Sequence, residues 1–217
     1  MNFRFIALSI LTAAITSVPA SAQGGSALGL RIGVQSENTK RNSSLSDVVT
    51  PGTSASLQAI EGVLSPADGG AGIGGRLIQG TMDGRDFLLR EGRLFVGPLY
   101  FHVEGAYGER SVSGTDSMAT FARAGLKSIV QIGGSGVAVI LSGSKYFEPR
   151  FTKKKTTDGI SEPVPDGWEA ETSLYYTAPR VPVFARVGYK TEYFSFGNRE
   201  ENLHSVIIGT GLWIGAR

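Results

Sequence analysis

The chain has no cysteine, which excludes a disulfide scaffold, thiolate metal ligands and a cysteine nucleophile together. Past the first residues, no stretch approaches the roughly 20 continuous apolar residues of a membrane-spanning helix. Net charge is only +2 over 217 residues, too small to imply a nucleic-acid partner. The glycine pairs Gly69-Gly70 and Gly133-Gly134 have no Lys-Ser or Lys-Thr after them, so a phosphate-cradling loop is missing as well. No metal and no cofactor is expected. What is plentiful is glycine, 30 residues, roughly twice the average share and without a collagen period.

Residues 1–22 read as a signal peptide. Arg4 supplies a positive start, Phe5 to Ile15 an apolar run, and Ala20-Ser21-Ala22 a small-residue cleavage site before Gln23. Residues 23–217 then form one domain, exported without disulfides. If the mature chain meets a membrane, it meets it as a barrel or at the surface.

The most regular stretch runs from Trp168 to Phe196. Trp168, Ala170, Thr172, Leu174 and Tyr176 alternate with Glu169, Glu171, Ser173, Tyr175 and Thr177. After Pro179 to Pro182 the pattern resumes, with Val183, Ala185, Val187, Tyr189 and Tyr193 set against Arg186, Lys190 and Glu192. A period of two over this length predicts a hairpin with one greasy and one charged face. Its strands match the roughly 9–11 residues needed to cross a bilayer obliquely.

Similar alternation recurs along the chain. Strands are expected over Ala27 to Ser36, Thr53 to Leu64, Gly70 to Gly80, Asp86 to Val96 and Leu99 to Glu109. Others are expected over Met118 to Val130, from Val137 onward, and over Leu203 to Ile214, whose Val206, Ile208, Leu212 and Ile214 share a face. The polar segment Glu37 to Gly52 reads as a long loop, as do Arg110 to Ser117 and Glu148 to Gly167. Short and long connections broadly alternate, the arrangement of short periplasmic turns against longer outer loops. The fold class expected is all-β: an antiparallel up-and-down transmembrane β-barrel of about ten strands, with eight to ten the range.

Aromatic residues collect near strand ends. Tyr107, Tyr146, Phe147, Trp168, Tyr189 and Tyr193 fall towards one end, and Tyr100, Phe101, Phe184 and Trp213 towards the other. They are expected to form two interfacial girdles. One strand conflicts with the pattern, because Arg90 and Glu91 are neighbours. A bulge at Glu91-Gly92 is expected to place Phe87, Leu89, Leu94 and Val96 outward, with Arg90 and Arg93 inward. Glu61-Gly62 raises a similar conflict.

The polar faces gather Arg31, Gln35, Arg76, His102, Glu104, Arg123, Lys127, Glu169, Glu171, Arg186, Lys190 and Glu192. In a narrow barrel these side chains pair and fill the lumen, since charges out of water persist mainly by pairing. Because the basic members outnumber the acidic ones, a narrow anion-favouring pore is the sharper alternative. A secreted soluble ligand-binding barrel, with the alternation turned inside out, is another.

Residues 27–214 resemble the small outer-membrane β-barrel proteins of Gram-negative bacteria. That resemblance implies a monomer among outer-membrane lipid and lipopolysaccharide, with an envelope-structural or surface-interaction role. The barrel is expected to be non-enzymatic; the alternative is an outer-membrane enzyme with His204 as its catalytic residue, at the outer rim with Asp83, Asp86, Asp158 and Asp166. The rim acids and histidine are similar to those of the omptin proteases, but Asn202-Leu203-His204 stands where that family has an Asp-x-His pair. Lipid A deacylases also use His and Ser, yet His204 and Ser205 are adjacent and so point to opposite faces. Lys153, Lys154 and Lys155 lie in the longest loop and suit an extracellular acidic ligand.

Overall fold

The computed structural model describes residues 28–45, 48–66, 69–82, 84–98, 100–112, 117–153, 166–178, 181–195 and 199–215. The expected signal peptide at 1–22, Asp83, Asp158, Lys154 and Lys155 lie outside them, as does the side chain of Lys153.

Ten strands follow one another: β1 (Leu28–Leu45), β2 (Val48–Pro66), β3 (Gly69–Met82), β4 (Arg85–Pro98) and β5 (Phe101–Val112). Then come β6 (Ser117–Ile132), β7 (Val137–Lys153), β8 (Asp166–Thr177), β9 (Val183–Ser195) and β10 (Arg199–Gly215). Each pairs antiparallel with its neighbour in sequence, and β10 pairs with β1, closing an up-and-down barrel. Closure leaves no unpaired strand edge, which explains how the wall manages without disulfides. The even count brings Leu28 and Gly215 to the same end, here called the near end. Near-end connections are tight; at Gly136 the backbone takes φ +75°, and a Cβ there would meet the Thr177 carbonyl oxygen at 2.4 Å.

The loop expected over Glu37 to Gly52 is strand instead. β1 runs on to Leu45 and β2 begins at Val48, with pairing from Ser36↔Gln58 out to Leu45↔Val48 across one bulge between Arg41 and Ser43. The segment lacks an apolar face, so its alternation of Glu37, Thr39 and Arg41 with Ser36, Asn38 and Lys40 carries no hydrophobic period. Most long outer connections are thus strand extensions, although residues 154–165 remain the longest link.

Polarity divides the wall into two levels. From the near end to about mid-height, outward residues are apolar: Val34, Ile73, Leu94, Val103, Leu126, Leu141, Leu174, Val187 and Ile208 are all substantially exposed. Inward residues at mid-height are charged, and at the near end Ile140, Tyr175 and Phe184 form a small apolar cluster. Towards the far end the relation reverses, with Asn38, Lys40, Ser54, Ser56, Gln58 and Thr81 exposed while Leu57, Ile78, Phe87, Leu89 and Phe121 are buried inside. Strands of 12 to 19 residues exceed the roughly 9–11 needed for a crossing. The excess carries the polarity of a water-soluble barrel.

This reversal settles β4 without the expected bulge. Its register with β3 is unbroken from Gly69↔Pro98 to Met82↔Arg85. Phe87 and Leu89 point inward and are buried, contrary to expectation, while Glu91 and Arg93 point inward beneath them. Arg90 faces outward, where it pairs with Glu109 of β5, its neighbour across the ladder. Glu61 likewise sits inward on a regular strand.

The girdle expectation holds in part. Tyr107, Phe147, Trp168 and Tyr189 are exposed towards the far side of the belt, and Tyr100 and Phe101 at the near end. Trp168 and Tyr193 stack with centroids 6.2 Å apart. Tyr146, Phe184 and Trp213 instead turn inward. Glycines on facing strands make the room: a Cβ at Gly29 would lie 2.7 Å from the Trp213 indole, and one at Gly211 would lie 2.5 Å from the Phe184 ring.

Candidate functional site

The inward side chains stack in three layers. At the near end, Lys127 lies 3.5 Å from Glu104 and Arg31 lies 3.8 Å from Glu61. The Arg31 guanidinium also covers the Tyr175 ring at 5.4 Å and the Phe184 ring at 5.8 Å. His102, expected near Glu104, packs its ring against Phe95 at 5.1 Å. His102, Glu104 and Lys127 therefore sit apart from the other predicted charges, while Arg31 shares Glu61 and the Tyr175 ring with Arg186.

The middle layer is a closed circuit around the wall. Arg123 donates to Glu91 at 2.6 and 2.8 Å and to Glu169 at 3.2 Å. The Tyr146 hydroxyl contacts Glu169 and Glu192, each at 3.2 Å. Lys190 joins Glu192 at 3.3 Å to Glu37 at 2.9 Å. Gln35 donates to Glu37 at 3.1 Å and accepts from Arg186 at 2.6 Å. Arg186 reaches Glu61 at 3.4 Å, Arg93 reaches Glu61 at 2.9 Å, and Arg93 returns to Glu91 at 3.5 Å. Arg186 also pairs with Glu171 and donates to Ser173 at 3.2 Å. Arg76 stands between Glu91 and Glu169, 3.6 Å from each.

Of the residues predicted from sequence, Gln35, Arg76, Arg123, Glu169, Glu171, Arg186, Lys190 and Glu192 meet in this layer. Sequence reasoning missed Glu37, Glu61, Glu91 and Tyr146 as members, and grouped Arg93 only with a bulge that is absent. Their inclusion alters the charge count. Arg31, Arg76, Arg93, Arg123, Lys127, Arg186 and Lys190 face Glu37, Glu61, Glu91, Glu104, Glu169, Glu171 and Glu192 across the near and middle layers. Cations and carboxylates balance one for one, which removes the basic excess behind an anion-favouring lumen. Glu91 and Glu37 are almost fully buried, where a charge is tolerated only because it is paired and hydrogen-bonded.

The far layer is apolar. Ala55, Leu57, Ala59, Ile78, Met82, Phe87, Leu89, Phe121, Phe194 and Leu203 form one cluster with Tyr146 across the bore. A void of about 30 Å³ lies among them, near the liquid-volume share of a single water. Glu37, Thr39, Arg110, Lys190 and Glu192 also border it. Above it, Arg110 covers Phe87 at 5.4 Å and Phe194 at 5.2 Å, and Glu201 receives Arg41 at 2.5 Å and Arg110 at 3.6 Å.

His204 lies on the other side of the wall. It points outward, its Nδ1 2.8 Å from the Tyr189 hydroxyl, while Ser205 points inward to bond Thr39 at 2.8 Å. The two do not form a dyad. Of the described rim acids, Asp166 is taken by Lys145 at 3.5 Å, and Asp86 sits exposed on β4. Among the described residues, no group of His, Asp and Glu is arranged to hold a metal ion.

The molecule is thus a closed, ten-stranded, antiparallel up-and-down β-barrel with an apolar belt outside and a filled bore. No family model and no curated protein matches the chain. Solved structures that it resembles include Ail, the attachment invasion locus protein of Yersinia pestis, in complex with the heparin analogue sucrose octasulfate. That similarity has 9% identity and TM-score 0.35 over 86% of this chain and 99% of that one. The KdgM porin is similar at 11% identity and TM-score 0.38, over 81% of this chain and 98% of that one. The translocator domain of the autotransporter NalP from Neisseria meningitidis is similar at 13% identity and TM-score 0.37, over 96% and 95% respectively. Identities and scores this low say nothing about a ligand or a role.

Proposed function

We propose that this chain is a monomeric outer-membrane β-barrel protein with an envelope-structural or surface-interaction role, its bore closed to solutes. One observation carries the reading: exposed apolar side chains line the outside of nine of the ten strands while charged and apolar layers fill the inside. Water would penalise such an outer surface, whereas lipid matches it, and closure satisfies the backbone hydrogen bonds internally. Export through an N-terminal signal peptide would place the near end in the periplasm and the polar strand extensions outside the cell. No cofactor or nucleic acid enters this role. Outer-membrane lipid and lipopolysaccharide are its neighbours, and residues 153–155 offer cations to an acidic ligand.

Two measurements test it. The purified barrel, inserted in planar bilayers, is expected to give no stepwise conductance; reproducible single-channel steps overturn the closed bore. Mature protein is expected in the membrane fraction, and recovery from the soluble fraction without detergent overturns the membrane placement.

A further inference from the structure

Three outward cations lie near the far edge of the belt, and they differ in one respect. Arg90 pairs with Glu109 and Lys145 with Asp166. Lys40 makes no ion pair among the described residues. It stands directly across the ladder from His204, and its other ladder partner is Ser54. The outward positions around the pair include Asn38, Asn42, Ser56, Thr191 and Asn202, and the exposed Glu200, two outward positions beyond His204, receives the Tyr193 hydroxyl at 2.9 Å, so among the described residues no carboxylate pairs with the ammonium.

His204 is itself held in place. Its ring stacks on Tyr189 with centroids 6.2 Å apart and planes 20° from parallel. The Tyr189 hydroxyl engages Nδ1 across 2.8 Å, so Nε2 is the ring nitrogen left to meet a ligand. Towards the near end, the same face turns apolar: Val206 and Ile208 follow His204 on β10, and their ladder partners on β9 are Tyr189 and Val187, each about half exposed. A cation and an imidazole thus cap a greasy strip at the level of the aromatic girdle.

We propose that this face binds one phosphorylated lipid of the outer leaflet, with its phosphate on Lys40 and His204 and its acyl chains along Val206, Ile208 and Val187. An ammonium with three free donors is a competent phosphate partner, and the strip below supplies the matching apolar half. The site rests on the membrane placement proposed above and adds to it a lipid head-group class. His204, isolated from any catalytic partner, acquires a binding role.

The test uses the full barrel in detergent micelles, with diphosphorylated lipid A as probe and its dephosphorylated form as control, both read by native mass spectrometry. Lys40→Gln is expected to weaken retention of the diphosphorylated probe about tenfold, and His204→Gln a few-fold, as loss of charge-assisted or ordinary hydrogen bonds implies. Lys145→Gln is expected to leave it unchanged. Equal retention of the two lipids, or wild-type retention by the Lys40→Gln/His204→Gln double variant, overturns the site while leaving the membrane placement intact. A barrel that stays dispersed without detergent before any lipid is added overturns both. All three positions are on the outer surface, so the variants are expected to fold.

Discussion

The lower and upper halves of this barrel are built from the same strands under opposite rules. In the lower half Val187 and Leu174 face out while Arg186 and Glu171 face in; in the upper half Ser56 and Gln58 face out while Leu57 and Ile78 face in. β4 crosses the boundary within a few residues, with Leu94 outward and Arg93 inward below, and Arg90 outward and Leu89 inward above. The pleat never changes parity. What changes is the solvent on the outer face, and the sequence follows the solvent.

The sharpest way to break this contrast is to unbalance the charged layer. Arg123→Ala takes the hydrogen-bonded cation from Glu91 and Glu169, leaving them no cation nearer than 3.5 Å, and is expected to cost about 3–5 kcal/mol, the usual penalty for breaking a buried pair. Urea unfolding from lipid vesicles measures it; a cost below about 1 kcal/mol would mean the layer is solvated. Next in size is a charge on the lower outer face. Val187→Arg is expected to cost about 2–4 kcal/mol in the same assay. A harmless Val187→Arg, in protein that stays folded without detergent, would place that face in water.

A smaller effect probes the upper interior. Ile78 is only 1% exposed, and Ile78→Val is expected to cost about 0.5–1.5 kcal/mol, as removal of one methylene from a packed core does. The smallest test is the most direct comparison. Ser56→Lys adds an outward cation in the upper half and is expected to change stability by no more than about 0.5 kcal/mol. If Ser56→Lys and Val187→Arg cost the same, the two levels do not see different solvents.

How much of this was legible beforehand depends on the level. In the lower half, one polarity rule sufficed. The faces of β8 and β9 were readable from Trp168 through Tyr193, as was the outward row Val206, Ile208, Leu212 and Ile214, because lipid outside and charge inside give a clean period of two. In the upper half the same rule misled. Phe87 and Leu89 read as outward because apolar residues were assigned to lipid throughout, and a bulge was then needed to bring Arg90 inside. Glu37 and Glu61 escaped the predicted network for a related reason: one lay in an apparent loop and the other in an apparent conflict. The inward turn of Phe184 and Trp213 depends on glycines of neighbouring strands, a register that no single strand displays. The outward placement of His204 followed from parity, but its Tyr189 partner comes from β9, again across the ladder.

The circuit of side chains has a mechanical consequence for the wall. A ladder-bonded cylinder has a fixed perimeter but no inherent resistance to ovalisation, because it can flatten without breaking a backbone hydrogen bond. Ties strung from strand to strand on the inside, with the Arg76 guanidinium between carboxylates of β4 and β8, act as spokes and brace the cross-section against that flattening. Because the tie line returns to its starting point, cutting it once leaves every remaining member attached to an anchored neighbour. Squeezing the barrel therefore loads many short links at once, and the bore keeps its round section under lateral pressure.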